Sequence, residues 1–183
     1  VTPLYNYLKP YPHDLLHQFY STYGGEEDFA YQTASPVLGN LNSGMQLYRI
    51  KYEKPELFQK IKYAFHLPQF LSYILSGSLH SDITSIGCHT NLWDFKKNDY
   101  HDWVGEEGVL KKLLPIASSE TLVPSLNQGQ RYEVGIGLHD SSAALIPYLL
   151  SFQEPFVLIS TGTWCITLNP FNNSPLTTEE LKN

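Results

Sequence analysis

The chain has 183 residues, 42% apolar and 16% charged, a composition that can bury a core and does not fit a disordered chain. Its formal charge of −6 gives no basic footprint, so nucleic acid is not an expected partner. No apolar run reaches the roughly 18–20 residues of a membrane helix, and no basic stretch followed by an apolar one suggests a leader.

The opening, residues 1–12, is rich in Tyr and Pro and is expected to be extended. Asp14 to Tyr20 can start a short helix, with Gly24-Gly25 ending it. Residues 33–42 are polar and turn-rich. From Ser43 to Lys51 apolar residues recur at helical spacing (Met45, Leu47, Tyr48, Ile50). Pro55 suits the first turn of a helix whose apolar face would carry Leu57, Phe58, Ile61, Ala64 and Phe65. Leu67-Pro68 breaks that run. A second helix is expected from Gln69 to Leu75, ending at Gly77. Asp82 or Thr84 can cap a further short helix, and residues 106–114 read as helical before Pro115.

The character then changes. Residues 132–137 alternate as a strand does, 141–151 form an apolar helix, and 156–160 form a short buried strand. Strand, helix, strand with tight connections indicates a mixed α/β domain. Cys88 and Cys165 stand far apart in apolar surroundings and are expected as reduced, buried thiols. The chain opens at Val1, its one methionine is Met45, and Thr177-Thr178-Glu179-Glu180-Leu181 reads as the cap and first turn of a helix. A piece of a longer polypeptide is the expectation.

Two runs can carry chemistry. In Gly135-Ile136-Gly137-Leu138-His139-Asp140-Ser141-Ser142, a strand ends in glycines and delivers His139 and Asp140 at its carboxyl end, where ligands meet α/β sheets. A carboxylate there can accept a proton from a hydroxyl nucleophile, or can simply cap the next helix. About twenty residues on, Ser160-Thr161-Gly162-Thr163-Trp164 follows an apolar strand. Gly162 lets backbone approach a phosphate while hydroxyls and N–H groups donate to it; a plain turn is the simpler alternative. The GxxxxGK[ST] loop is absent.

Taken in order, these pieces resemble the FGGY carbohydrate kinases, most closely the rhamnulokinase and fuculokinase branch, whose pieces read HD-small-small-A and S-x-GTW. Ser43-Gly44-Met45-Gln46-Leu47, Leu67-Pro68-Gln69-Phe70-Leu71 and Thr84-Ser85-Ile86 through Trp93-Asp94 extend the likeness over nearly the whole chain. The resemblance implies an actin-like, ribonuclease-H-like α/β fold. Residues 1–153 would belong to the N-terminal lobe and 154–183 would start the C-terminal lobe. It implies ATP with Mg²⁺ arriving on the nucleotide, a ketose or deoxyketose as acceptor, and a cytoplasmic enzyme, with room for a homodimer. Asp140 resembles the catalytic base, His139 a substrate-contacting neighbour, and Gly162 with Thr163 a phosphate-binding turn.

The sequence also departs from the pattern. Gln46 and Arg49 replace the Lys and Trp of the glycerol and xylulose branches. The family's Asp-x-Gly-Thr phosphate hairpin and Gly-rich adenosine site are missing, so the chain alone is not expected to turn over. A hydrolase using His139 and Asp140 lacks a nucleophile in a recognisable elbow, and adjacent strand residues point to opposite sides. A non-catalytic sugar-binding relative is the second reading. No protein metal ligand is expected: His13 and His17 share a helix face, and Cys88, His89 and His101 invite a zinc reading, but neither set has a completing partner.

Overall fold

The computed structural model describes residues 2, 5–127, 129, 132–162, 164–174 and 176–182. In chain order these form α1 (His13–Thr22), α2 (Glu26–Thr33), α3 (Ser43–Glu53), α4 (Pro55–Lys60), α5 (Leu67–Ser76), β1 (Ser81–Asp82), α6 (Ile83–Ile86), β2 (Trp93–Asp94), β3 (Asp99–Tyr100) and α7 (Asp102–Glu106). They continue as β4 (Ile116–Ala117), β5 (Leu122–Pro124), β6 (Glu133–Gly135), α8 (Asp140–Ser151), β7 (Leu158–Thr161), β8 (Cys165–Leu168) and α9 (Thr178–Lys182). The architecture is mixed α/β.

The strands associate only in pairs among the described residues. β1 runs parallel to β4, while β2–β3, β5–β6 and β7–β8 are antiparallel. β6 and β7, which flank α8, therefore do not pair with each other.

A helical core centres on Phe19 of α1, which is fully buried. Its ring meets Tyr20, Phe29, Tyr48 and Trp103 edge-on at centroid distances of 5.0–5.2 Å. Edge-to-face contact sets the positive rim of one ring on the negative face of the next, worth about 0.5–1.5 kcal/mol per pair beyond area burial. These contacts gather α1, α2, α3 and α7. Two hydrogen bonds carry polar groups into this core. The Trp103 Nε1–H donates to the Asn91 carbonyl at 2.7 Å, and the Asn91 amide donates to the Tyr20 hydroxyl at 3.0 Å.

α2 is a helix that the sequence reading did not anticipate. Glu26, Glu27 and Asp28 stand in its first turn, where carboxylates suit the positive end of the helix. α4 stops at Lys60 and does not reach Phe65. Instead Ala64 donates to the Lys112 carbonyl at 2.8 Å, and Lys112 Nζ donates to the Ile61 carbonyl at 3.0 Å, so residues 61–66 are drawn out against the 112 region. α5 begins at Leu67, with Pro68 in the first turn where its missing N–H costs nothing, and it ends at Gly77 in the left-handed conformation. The helix expected over 106–114 is instead α7, closed at Gly108 with φ 72°, followed by a 3₁₀ turn at Leu110–Lys112. β7 is mostly exposed and not buried, and Cys165 is exposed while Cys88 is half-buried. Thr177 and Glu180 form the expected capping box: the Thr177 N–H donates to Glu180 Oε2 at 2.9 Å, and the Glu180 N–H donates to Thr177 Oγ1 at 3.2 Å.

α5 inverts the usual helix. Its buried residues are Gln69, Ser72 and Ser76, while Leu71, Ile74 and Leu75 face outward. The buried polar face holds β6: Gln69 Nε2 donates to the Gly137 carbonyl at 2.7 Å, and Ser72 Oγ donates to the Gly135 carbonyl at 2.8 Å. His66, just before α5, shares a 2.9 Å hydrogen bond with Ser43 Oγ at the start of α3. Burial, with the nearby His139 adding to it, pushes the His66 imidazole down to about 4.

Phe19→Ala should cost about 3–5 kcal/mol in urea unfolding, the range for emptying a large aromatic site in a core. His66 is held neutral in the folded state, so its contribution is complete above about pH 6.5 and fades as the pH falls toward 4. Wild type should therefore lose about 3 kcal/mol more than His66→Gln between pH 7 and pH 4. Equal losses in the two proteins would show that His66 protonates freely when folded.

Candidate active site

Asp140 opens α8 rather than ending a strand. β6 stops at Gly135, and residues 136–139 form an extended link into the helix. The link is fixed by a close approach. Gly137 has φ 89°, and a Cβ placed on it would stand 2.6 Å from the Pro68 carbonyl oxygen, inside any allowed contact. Glycine is required on both counts.

The next two residues sit at the surface. The Asp140 side chain is 92% exposed and that of His139 is 31% exposed. Their nearest charged atoms, His139 Nε2 and Asp140 Oδ1, are 3.4 Å apart. The two side chains therefore meet on one side, because the chain is already turning into the helix. Asp140 Oδ1 also accepts the Ser141 N–H at 2.7 Å. The capping alternative is thus partly realised, but from the first helical position and not from the cap, which His139 occupies.

Behind the turn lies a buried polar group. The Asp82 carboxylate is fully buried at the end of β1 and caps α6 by accepting the Thr84 N–H at 2.9 Å. Thr84 Oγ1 donates to the same oxygen and accepts the His139 N–H at 3.0 Å. Ser119, just beyond β4, donates to Asp82 Oδ2 at 2.6 Å. The parallel pairing of β1 and β4 brings Ser119 there from 37 residues away. The His66 imidazole and the Cys88 thiol complete the surroundings. Burial raises the Cys88 pKa, and the negative charge of Asp140 adds to the effect, so the thiol is not activated.

The other sequence candidates stand elsewhere. Gln46 donates to the Asn40 carbonyl at 2.6 Å, and Arg49 pairs with Glu53 and stacks 4.2 Å over the Tyr5 ring. Both tie α3 to its neighbours. Gly162 lies in the connection between β7 and β8, its N–H donating to the Trp164 carbonyl at 3.2 Å. Apart from its chain neighbours, nothing among the described residues lies within 4 Å of where its Cβ would be, so this side of its backbone is open. Thr163 lies outside the described residues. No hydrogen bond or ion pair links the Gly162 turn to Asp140 among the described residues. His13 and His17 are exposed on α1, and no group of three His, Cys, Asp or Glu could hold a metal ion among the described residues.

Sequence reasoning saw Asp82 and Thr84 only as helix caps. It missed Ser119, His66 and Gln69. The Asp-x-Thr spacing marks the cap, but nothing local signals that the same hydroxyl reaches residue 139.

No family profile matches the chain. Among curated proteins it is 23% identical over 151 residues to a rhamnulokinase of Oceanobacillus iheyensis, covering 75% of this chain and 30% of that protein. Among solved structures it is similar to a carbohydrate kinase from Novosphingobium aromaticivorans, with a TM-score of 0.75 and 27% identity over 88% of this chain and 36% of the other. The xylulose kinase of Lactobacillus acidophilus shares the fold at a TM-score of 0.61 and 17% identity, over 73% of this chain and 29% of its own. The chain spans about a third of the length of these relatives. Together these comparisons show a fold shared with solved carbohydrate kinases and a sequence likeness to a rhamnulokinase.

Proposed function

We propose that the chain is part of an FGGY-type sugar kinase that transfers the γ-phosphoryl group of Mg-ATP to a hydroxyl of a ketose or deoxyketose. The observation that carries the reading is Asp140: an exposed carboxylate on a backbone turn fixed from two sides, within a fold shared with solved carbohydrate kinases. The likeness to a rhamnulokinase favours a deoxyketose such as L-rhamnulose or L-fuculose as acceptor. In this reading residues 1–153 belong to the N-terminal lobe of an actin-like fold and 154–183 begin the C-terminal lobe.

Asp140 acts as general base, taking the proton from the sugar hydroxyl as its oxygen attacks phosphorus. Its exposure leaves room for a sugar, and the Ser141 N–H and the helix terminus hold Oδ1 in place. His139, 3.4 Å from that oxygen, donates or accepts at a neighbouring sugar hydroxyl. Gly162 with Thr163 is the proposed phosphate-binding turn, and the open space over Gly162 leaves its backbone accessible to a phosphate. ATP supplies the transferred phosphoryl group, and Mg²⁺ comes with it. Catalysis of this kind is mainly positioning and charge stabilisation in a closed cleft.

ADP release by the full-length polypeptide, measured across a panel of ketoses and deoxyketoses, should rise on one sugar. Asp140→Asn should lower that rate at least about 100-fold, the usual scale for a general base. Failure to bind nucleotide, with no turnover on any sugar, would favour a non-catalytic sugar-binding relative, and an Asn variant as active as wild type would remove Asp140 from the chemistry.

A further inference from the structure

Thr84 stands between a buried carboxyl group and the backbone of the turn that carries Asp140. A threonine hydroxyl has one proton and two lone pairs. Asp82 Oδ1 accepts the Thr84 N–H and the Thr84 hydroxyl, so the Thr84 proton points at that oxygen and a lone pair is left for the His139 N–H. A hydroxyl that donates to a carboxylate is polarised and becomes a better acceptor. The carboxylate is itself aimed: Ser119 Oγ–H holds Oδ2 at 2.6 Å, and the Thr84 N–H holds Oδ1 at 2.9 Å. The chain of bonds Ser119–Asp82–Thr84–His139 therefore runs from β4 through β1 and α6 into the residue before Asp140.

We propose that Thr84, oriented by the buried Asp82 carboxylate, is a positioning residue that fixes the His139–Asp140 turn and so aims the Asp140 carboxylate at the acceptor hydroxyl. The proposal rests on the kinase reading for the identity of the reaction, but the tether itself does not. Gln69 secures the same segment two residues earlier, at the Gly137 carbonyl, so the link has one polar anchor on its acceptor side and one on its donor side. Of the two, Thr84 is nearer the chemistry. Without it the His139 N–H, next to a helix start, has no protein acceptor, and the turn is free to rotate about the Gly137 anchor. A displacement of about 1 Å in a catalytic group is enough to cost on the order of 100-fold in rate.

The test compares Thr84→Val, which keeps the shape and removes the hydroxyl, with Thr84→Ser, which keeps the hydroxyl, both in the full-length polypeptide. Amide hydrogen exchange at His139 should quicken about tenfold or more in the Val variant and stay near wild type in the Ser variant. With the best sugar, kcat should fall about 10- to 100-fold in Thr84→Val while KM for the sugar stays within about threefold, and Thr84→Ser should recover most of it. Unchanged exchange in Thr84→Val, an unchanged kcat, or a Ser variant as impaired as the Val variant would each overturn the proposal. If Thr84→Val does not fold, Ser119→Ala loosens the carboxylate while leaving Thr84 in place. It should quicken exchange at His139 about threefold, and no change there would count against the relay. Should the wild type respond to no sugar, the kinase reading fails on its own, and exchange at His139 still decides whether Thr84 holds the turn.

Discussion

The approach of Gly137 to the Pro68 carbonyl is the contact on which the rest of the site depends. A Cβ at residue 137 would collide with backbone at 2.6 Å, and its φ of 89° is closed to most side chains. With glycine there, the end of β6 lies directly on the first turn of α5. That closeness is what lets Gln69 reach the Gly137 carbonyl and Ser72 reach the Gly135 carbonyl. It also sets the path of the next two residues, so that the His139 N–H arrives at Thr84 and Asp140 begins α8 at the surface.

The molecule uses two kinds of glue for two tasks. α1, α2, α3 and α7 are joined by aromatic rings packed around Phe19, a non-directional driving force sharpened by edge-to-face geometry. The elements around Asp140 are joined instead by side-chain hydrogen bonds to backbone atoms, from Gln69, Ser72 and Thr84. Hydrogen bonds define distance and direction, whereas apolar contact tolerates sliding. A carboxylate proposed to meet one hydroxyl needs the first kind of support. The cost is a helix, α5, whose polar residues are spent inward and whose leucines and isoleucine are left outside.

Charge around the turn is arranged in layers. The buried Asp82 carboxylate has its hydrogen-bond partners within the protein, while Asp140 keeps its exposure and with it the freedom to meet a ligand. His66, close enough for its charge to be felt at His139, is kept neutral by burial, so it adds no cation that would compete for Asp140. Two carboxylates near one backbone turn thus have different tasks, and their environments separate them.

Local chemistry was readable in the residues themselves. The amphipathic spacing of α3, the αL glycine at 77, the Asp82 cap, the Thr177–Glu180 capping box and the apolar helix after Asp140 all depend on neighbours within a few residues. So did the likeness of the His139-Asp140 and Thr161-Gly162-Thr163 runs to a sugar kinase, in a chain that resembles a carbohydrate kinase in fold. What sequence reading could not settle was set by partners far along the chain. α4 ends at Lys60 because residue 112 draws the next six residues into an extended path, and residues 156–160, read as a buried strand, give an exposed one. Ser119 reaches Asp82 only because β1 and β4 pair in parallel, and Thr84 reaches His139 across 55 residues. Helix propensity, capping and turn chemistry act over about one turn of chain, so the sequence by itself determined the pieces. Hydrogen bonds between distant residues have no local signature, so only the tertiary structure decided how those pieces hold Asp140 in place.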